Sequence, residues 1–171
     1  MNTAKYPVIF TFHNDAIDKK IVEYQSKVIN KITQGRIAFR SLYSNVSFDV
    51  MDHGEVLNKA VYHLFYRSKE YWDCILILDI DCVPLSYQAL ETTFNLAYEG
   101  KLVGNIQRSN HLENNQHTYV APSYMCFTRD YYEDIGTPTM NNTWKYDVGE
   151  LLTVNADRFN KPVIKFMPLH S

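Results

Sequence analysis

The chain has 171 residues, of which 46% are hydrophobic and 14% aromatic, so it can bury one core but is too short for two ordinary domains. Its 17 basic and 19 acidic residues give a net charge of -2, and no dense basic stripe is present, which argues against binding of duplex nucleic acid through charge alone. No run approaches the ~20 apolar residues of a membrane-spanning helix, and residues 1–15 do not read as a signal peptide. The three cysteines are an odd number, which fits a reducing, cytoplasmic setting. These features together predict one cytoplasmic domain over 1–171.

The first half of the chain alternates strand and helix patterns. The predicted elements are, in order, a strand at 6–12, a helix at 17–32, a strand at 37–43, a loop at 44–54, a helical pattern from Leu57, an apolar strand ending at Leu78, and a helix at 87–98 with Ser86 as its N-cap. Such alternation predicts parallel βαβ units with right-handed crossovers. Residues 1–100 are therefore expected to form a Rossmann-type nucleotide-binding half.

The second half, 101–171, has a less regular pattern. It contains strands at 102–107 and 119–128 around a polar loop, then helices at 129–135 and 147–154, and a last strand at 163–167. The polar loop, 108–117, is a candidate lid, although a surface loop without function is the alternative. The predicted fold class is α/β, with a mostly parallel central sheet flanked by helices.

Two carboxylates follow the most apolar strand of the chain. Asp79 and Asp81 come directly after Cys74–Leu78, and open α/β sheets bind ligands at such carboxyl ends. Burial of both carboxylates without a partner would cost several kcal/mol, so a divalent cation is the natural counterion, and hard oxygen ligands favour Mg²⁺ or Mn²⁺. The alternative is a turn or a helix cap, but Ser86 is the better placed cap.

The segment Asp79–Pro84 resembles the Asp-x-Asp segment of nucleotide-sugar-dependent glycosyltransferases with the GT-A fold. The resemblance implies a GT-A-like sandwich in which 1–100 binds the nucleotide-sugar donor and 101–171 forms the acceptor side. It also implies that Asp79 and Asp81 hold Mn²⁺ or Mg²⁺ against the donor diphosphate.

Further donor-binding residues are implied after the first strand and at the start of the second helix. They are Thr11, Phe12, His13, His53, Gly54 and Asn58. A strand end is the alternative for the first three, while a helix amino terminus with Gly is a ready anion site. The chain departs from the family after the second strand, where Ser44 and Asn45 replace an acidic residue, so the base of the nucleotide stays open.

The second half carries the candidates for proton transfer and for a third metal ligand. The resemblance implies that Asp147 or Glu150 deprotonates the acceptor hydroxyl in an inverting enzyme, and that His170 completes the metal site. Asp147 with an acid three residues later also matches a capping box. The acceptor is left open among a sugar, a lipid headgroup, a protein side chain and a modified nucleobase, as are the oligomeric state and the choice between inversion and retention.

Two other functions fit part of the pattern. Asp79–Val83 matches the first motif of haloacid-dehalogenase-like phosphatases, with Asp79 as the nucleophile, although that motif normally lies near the amino terminus. A non-catalytic nucleotide-sugar-binding module would suit the shortness of the chain. The sequence best predicts a metal-dependent glycosyltransferase that moves a hexose or a pentose, and phosphate release, or metal binding without turnover, would support the alternatives.

Overall fold

The computed structural model of the protein describes residues 6–44, 50–110 and 116–167. Its elements are, in chain order, β1 (Pro7–His13), α1 (Lys19–Thr33), β2 (Ala38–Tyr43), α2 (Val50–Tyr62) continued by a π-helical turn (His63–Arg67), β3 (Cys74–Leu78), α3 (Tyr87–Tyr98), β4 (Leu102–Arg108), β5 (Thr118–Thr128), α4 (Arg129–Asp134), α5 (Glu150–Arg158) and β6 (Val163–Phe166). In the part of the chain that is described, no helix is long and apolar enough to cross a membrane.

The six strands form one sheet in the order β2-β1-β3-β5-β4-β6. β1 pairs in parallel with β2 and β3, and β4 pairs in parallel with β6, whereas β5 is antiparallel to both of its neighbours. Every strand except β5 therefore runs in the same direction, and their carboxyl ends meet the start of β5 at one edge of the sheet. We call it the carboxyl edge. The predicted α/β class with a mostly parallel sheet is confirmed.

Helices cover both faces of this sheet. α2, α4 and α5 pack against the face that carries Phe10, Ile77 and Phe127, and α1 and α3 pack against the face that carries Ile9 and Leu76. All five residues of β3 are buried, since a central strand covered on both faces needs apolar side chains at every position. This burial on two faces explains the continuous apolar run before Asp79.

Two of the cysteines belong to this core. Cys74 and Cys126 are buried free thiols on the paired strands β3 and β5, with 3.7 Å between their sulfur atoms. The burial raises the pKa of the Cys74 thiol well above its usual range. Both residues therefore act as small apolar side chains.

The prediction of a loop at 44–54 is wrong for residues 50–54, because α2 already begins at Val50. The cause is Gly54, which is typical of loops but lies inside this helix. A Cβ atom at Gly54 would be 2.5 Å from the Asn141 Cα and 2.6 Å from the Met140 carbonyl oxygen. Close packing of the 140–141 backbone against α2, and not a turn, requires the glycine.

The helix predicted at 147–154 begins three residues later than expected, at Glu150. Its N-cap is Gly149, which has a φ of 76° and provides no side-chain hydrogen bond to the helix. Asp147 instead starts a turn in which its carbonyl oxygen accepts a hydrogen bond from the Glu150 N–H at 3.1 Å. Of the capping-box alternative, the Glu150 half is present, because this carboxylate accepts the Asp147 N–H at 2.8 Å, whereas the Asp147 carboxylate has other partners.

Candidate functional site at the carboxyl edge

The turn after β3 places Asp79 and Asp81 at the carboxyl edge. The Cys82 N–H donates to the Asp79 carbonyl oxygen at 3.0 Å and closes this turn. Gln25, a buried residue of α1, donates from its Nε2 to the carbonyl oxygens of Asp79 (2.7 Å) and Cys82 (2.8 Å). The amide of Gln25 thus fixes the backbone of the turn from the α1 side without binding either carboxylate.

The two carboxylates lie in different surroundings. Asp79 is half-buried and Asp81 is exposed. Burial, followed by the charge of Asp81, raises the pKa of Asp79 to about 6. No positive side chain of the described ranges is among the causes of this shift, so the half-buried Asp79 carboxylate has no basic partner there that offsets its burial.

This donor set fits Mg²⁺ or Mn²⁺. These hard cations are often held by one or two carboxylates, with phosphate oxygens of the substrate and water completing the coordination. Within 6–44, 50–110 and 116–167, no group of three or more His, Cys, Asp and Glu side chains is placed to hold a metal ion. Asp79 and Asp81 would therefore need a phosphate-bearing ligand or a further residue, and His170, the predicted third ligand, lies outside the described residues.

The ends of β1 and β2 form a second group of polar and aromatic side chains at this edge. The His13 ring lies 5.9 Å from the Tyr43 ring, and its Nδ1 is 3.2 Å from the Ser41 hydroxyl oxygen. The Tyr43 hydroxyl donates to Asp15 at 2.8 Å. Asp15 therefore brings a carboxylate to the end of β2, where the sequence has Ser44 instead of an acid.

Thr11 and Phe12 have different surroundings from His13. Thr11 is fully buried, and its hydroxyl oxygen has no hydrogen-bond partner in the part of the chain described here. The Phe12 ring packs edge-on against His53, with 4.9 Å between ring centroids, and burial lowers the pKa of His53, so this imidazole is neutral at pH 7. The structure therefore brings Phe12 and His53 together beside β1, while Thr11 is part of the core.

Gly54 and Asn58 both contact the segment 139–141. Asn58 donates from Nδ2 to the side chains of Thr139 (3.0 Å) and Asn141 (2.8 Å), and its Oδ1 accepts from the Met140 N–H (2.8 Å). These contacts tether the segment to α2. A donor-binding role of Gly54 and Asn58 stays a prediction, beside the structural role that their contacts define.

Glu150 lies at the centre of a buried hydrogen-bond network. It is fully buried and accepts hydrogen bonds from the Ser109 hydroxyl (3.0 Å) and the Asp147 N–H (2.8 Å), and its Oε1 is 2.7 Å from the His117 Nδ1. The Ser109 N–H also donates to the His117 carbonyl oxygen at 3.0 Å. Glu150 therefore holds both ends of the connection between β4 and β5, and its location suits a positioning residue.

Asp147 is the more accessible of the two acids. It is half-buried, and its Oδ2 accepts a hydrogen bond from the Asn110 N–H at 2.7 Å. The Tyr119 hydroxyl is a further hydrogen-bond partner of this carboxylate. Asp147 thus keeps part of its surface accessible to solvent, whereas Glu150 does not.

Tyr119 links the two acidic groups and was not predicted as a site residue. Burial raises the pKa of its hydroxyl, and the charges of Asp147, Glu150 and Asp79 raise it further. The phenol is therefore neutral at pH 7. It lies close enough to Asp79 and to Asp147 for the charge of each to raise its pKa. In the sequence, Tyr119 is only one aromatic residue in a β-rich run, so no local signal marks it.

Two solved structures of transferase-type enzymes are similar in fold to this chain. No protein-family model matches the chain, and no curated protein matches it either. Among solved structures, a protein from Desulfovibrio desulfuricans G20 assigned as a nucleotide-diphospho-sugar transferase has a TM-score of 0.54 and 13% identity, over 96% of this chain and 80% of that chain. The 4-diphosphocytidyl-2C-methyl-D-erythritol synthase from Anaerococcus prevotii DSM 20548 has a TM-score of 0.55 and 10% identity, over 97% of this chain and 90% of that chain. At such identities the likeness establishes the fold alone.

Proposed function

We propose that the protein is a metal-dependent glycosyltransferase, which moves a sugar from a nucleotide-sugar donor to an acceptor hydroxyl. The observation that carries this proposal is the pair Asp79 and Asp81 at the carboxyl end of the central strand. The raised pKa of Asp79, about 6, supports the need for a cation at this place. The fold shared with a nucleotide-diphospho-sugar transferase and a diphosphocytidyl-forming synthase supports a substrate with a nucleoside diphosphate group.

In this proposal, Asp79 and Asp81 hold Mn²⁺ or Mg²⁺, and His170 is a further candidate ligand. The metal ion would supply positive charge that stabilises the departing diphosphate. Gln25 keeps the turn in one conformation through its two hydrogen bonds to backbone carbonyl oxygens. A fixed pair of carboxylates is what catalysis by preorganised charge requires.

The ends of β1 and β2 are the proposed binding place for the nucleoside. His13 and the exposed Tyr43 present ring faces and edges there, and Asp15 adds a hydrogen-bond acceptor. Aromatic rings suit stacking with a planar base, and a carboxylate accepts hydrogen bonds from base N–H or ribose O–H groups. Phe12 and His53 form the neighbouring apolar part of this place.

Asp147 is the proposed general base. Its carboxylate would take the proton of the acceptor hydroxyl while that oxygen forms a bond to the anomeric carbon and the bond from this carbon to the diphosphate oxygen breaks. The Asn110 N–H and the Tyr119 hydroxyl hold the carboxylate in place. Glu150 positions it indirectly, because its carboxylate accepts the Asp147 N–H.

Product analysis tests the reaction type. The purified protein is incubated with Mn²⁺ and with nucleotide sugars in water, which serves as a poor acceptor, and the phosphate products are separated. We expect slow release of nucleoside diphosphate and free sugar, and no release in excess chelator. Asp130→Asn, a change at an exposed acid in the first turn of α4, is the matched control and should retain the activity.

The same assay, supplied with other substrates, would identify other reactions by their products. Pyrophosphate from a nucleoside triphosphate and a sugar phosphate would show a nucleotidyltransferase. Orthophosphate from a phosphate monoester would support the phosphatase alternative, with Asp79 as nucleophile. Metal-dependent binding of the nucleotide sugar without any product would support the non-catalytic module.

A further inference from the structure

One side of α1 exposes apolar side chains next to the Asp79–Cys82 turn. Ile21 and Tyr24 are 43% and 66% exposed, and Val83 and Leu85, which follow the turn, are 36% and 73% exposed. Ile21, Tyr24 and Val83 line an open groove of about 480 Å³ together with Lys20 and Asp81. Isolated exposed apolar residues are ordinary, but a group of them around one groove indicates a contact surface.

The same side of α1 is basic. Lys20, Tyr24, Lys27 and Lys31 follow each other at steps of four, three and four residues, so they lie on one face of the helix. In the described part of the chain, none of these three lysines forms a salt bridge with an acidic side chain. The acids close to this face are Asp81, in the groove, Glu23, on α1, and Asp18, the N-cap of α1, whose carboxylate accepts the Lys20 N–H at 2.9 Å.

We infer that this surface, which we call the α1 surface (Lys20, Ile21, Tyr24, Lys27, Lys31, Val83 and Leu85), docks on an anionic lipid bilayer. Lysines attract acidic headgroups, while apolar side chains and a tyrosine ring enter the interfacial layer of the membrane. Charge complementarity decides between this partner and a second copy of the chain. A symmetric dimer through the α1 surface would place the lysines of both copies against each other, and like charges in one interface oppose association.

Docking in this way would have a consequence for the proposed reaction. Asp81 lines the same groove as Tyr24 and Val83, so the turn that holds the proposed metal would lie at the membrane surface. This step rests on the proposed function, and it makes the acceptor a hydroxyl group carried by a membrane lipid. The docking itself does not depend on the reaction, because it requires only the side chains of the α1 surface.

Vesicle sedimentation tests the docking. The whole chain, without nucleotide or metal, is mixed with phosphatidylcholine vesicles that contain or lack phosphatidylserine. We expect binding to the anionic vesicles and loss of binding at high salt, because the Debye length then falls to a few Å. Equal binding to both kinds of vesicle, or no binding to either at low salt, would overturn the inference.

Vesicle binding by substituted proteins tests whether the α1 surface, and not another surface, contacts the membrane. Each of Lys27→Gln and Lys31→Gln is expected to weaken partitioning about fivefold, and Tyr24→Gln and Leu85→Gln should weaken it further through loss of apolar insertion. The controls are Lys69→Gln and Tyr71→Asn, the second at a residue that is 78% exposed and has a φ of 51°, a backbone conformation that Asn tolerates. Equal losses in the controls would overturn the assignment of the surface.

Two further measurements test whether the α1 surface binds a second copy of the chain and whether a substitution in it affects donor binding. Sedimentation velocity of the free protein shows whether Tyr24→Gln abolishes a dimer, and that result would assign the surface to a second copy and overturn the membrane partner. Donor binding by Lys31→Gln, a change in the last turn of α1 and outside the groove that Asp81 lines, should equal that of the wild type. Failure of the docking is thereby distinguished from failure of the proposed function, which the product assay measures separately.

Discussion

Asp79→Asn is expected to stabilise the metal-free protein at pH 7 and to abolish metal-dependent donor binding. Burial and Asp81 raise the pKa of Asp79 from 3.8 to about 6, so between these pH values the folded state binds more protons than the unfolded state. The free energy of unfolding therefore falls as pH rises from about 4 to 6. Because one pKa unit corresponds to about 1.4 kcal/mol, the change from 3.8 to about 6 means that Asn should recover on the order of 3 kcal/mol at pH 7.

Urea unfolding at two pH values measures this effect. The variant should be more stable than the wild type at pH 7. This difference in the free energy of unfolding should vanish near pH 4, where the wild-type Asp79 of the folded protein is protonated and thus as neutral as the Asn. Asp81→Asn is the matched variant: it removes the second cause of the raised pKa of Asp79 and should also abolish metal-dependent turnover without loss of the fold. An Asp79→Asn protein that is less stable and still binds donor with Mn²⁺ would show that the pair is structural.

Asp147→Asn is expected to lower kcat by roughly 10² to 10⁴, since this is the usual contribution of a positioned general base. Donor affinity should change little, because proton transfer matters in the transition state and the nucleoside lies elsewhere. Thermal stability should also change little, since Asn retains an oxygen that can accept the hydrogen bond from the Asn110 N–H. Steady-state kinetics, donor Kd and Tm of the variant provide the three readouts.

Glu150→Gln and Tyr119→Phe complete this series. A Gln oxygen can still accept from the Ser109 hydroxyl and the Asp147 N–H while its Nε2 faces the His117 Nδ1. Because a neutral amide is a weaker acceptor than a carboxylate, Glu150→Gln should lower stability as well as kcat. Tyr119→Phe removes one donor to Asp147 and should shift the pH profile of kcat with a smaller loss of rate. A fully active Asp147→Asn enzyme would remove Asp147 from the mechanism.

Elements with local signals were predictable from the sequence. The helix predicted at 87–98 is α3 with the same bounds, and Ser86 caps it by accepting the Ala89 N–H at 3.1 Å. The apolar run before Asp79 identified β3 because burial on both faces leaves no alternation. In such cases the residues that define the element are neighbours in the chain.

The remaining features depend on contacts between distant segments. Gly54 and the segment 140–141 are far apart in the chain, so the glycine was interpreted as part of a loop. Asp15 and Tyr43 meet only because β1 and β2 pair in parallel with His13 opposite Tyr43. Gln25 and Tyr119 likewise take their roles from the turn after β3 and from the start of α5, which no spacing rule connects to them.

Calorimetric titration of the wild-type protein with nucleotide sugars, in Mn²⁺ and in excess chelator, tests the central claim most directly. We expect donor binding that requires the metal ion and weakens below about pH 6, where a proton on Asp79 competes with the cation. At a ligand concentration about a hundredfold above Kd, the bound donor should stabilise the fold by about 2.7 kcal/mol. Equally tight binding in the chelator would contradict the assignment of Asp79 and Asp81 as the metal site.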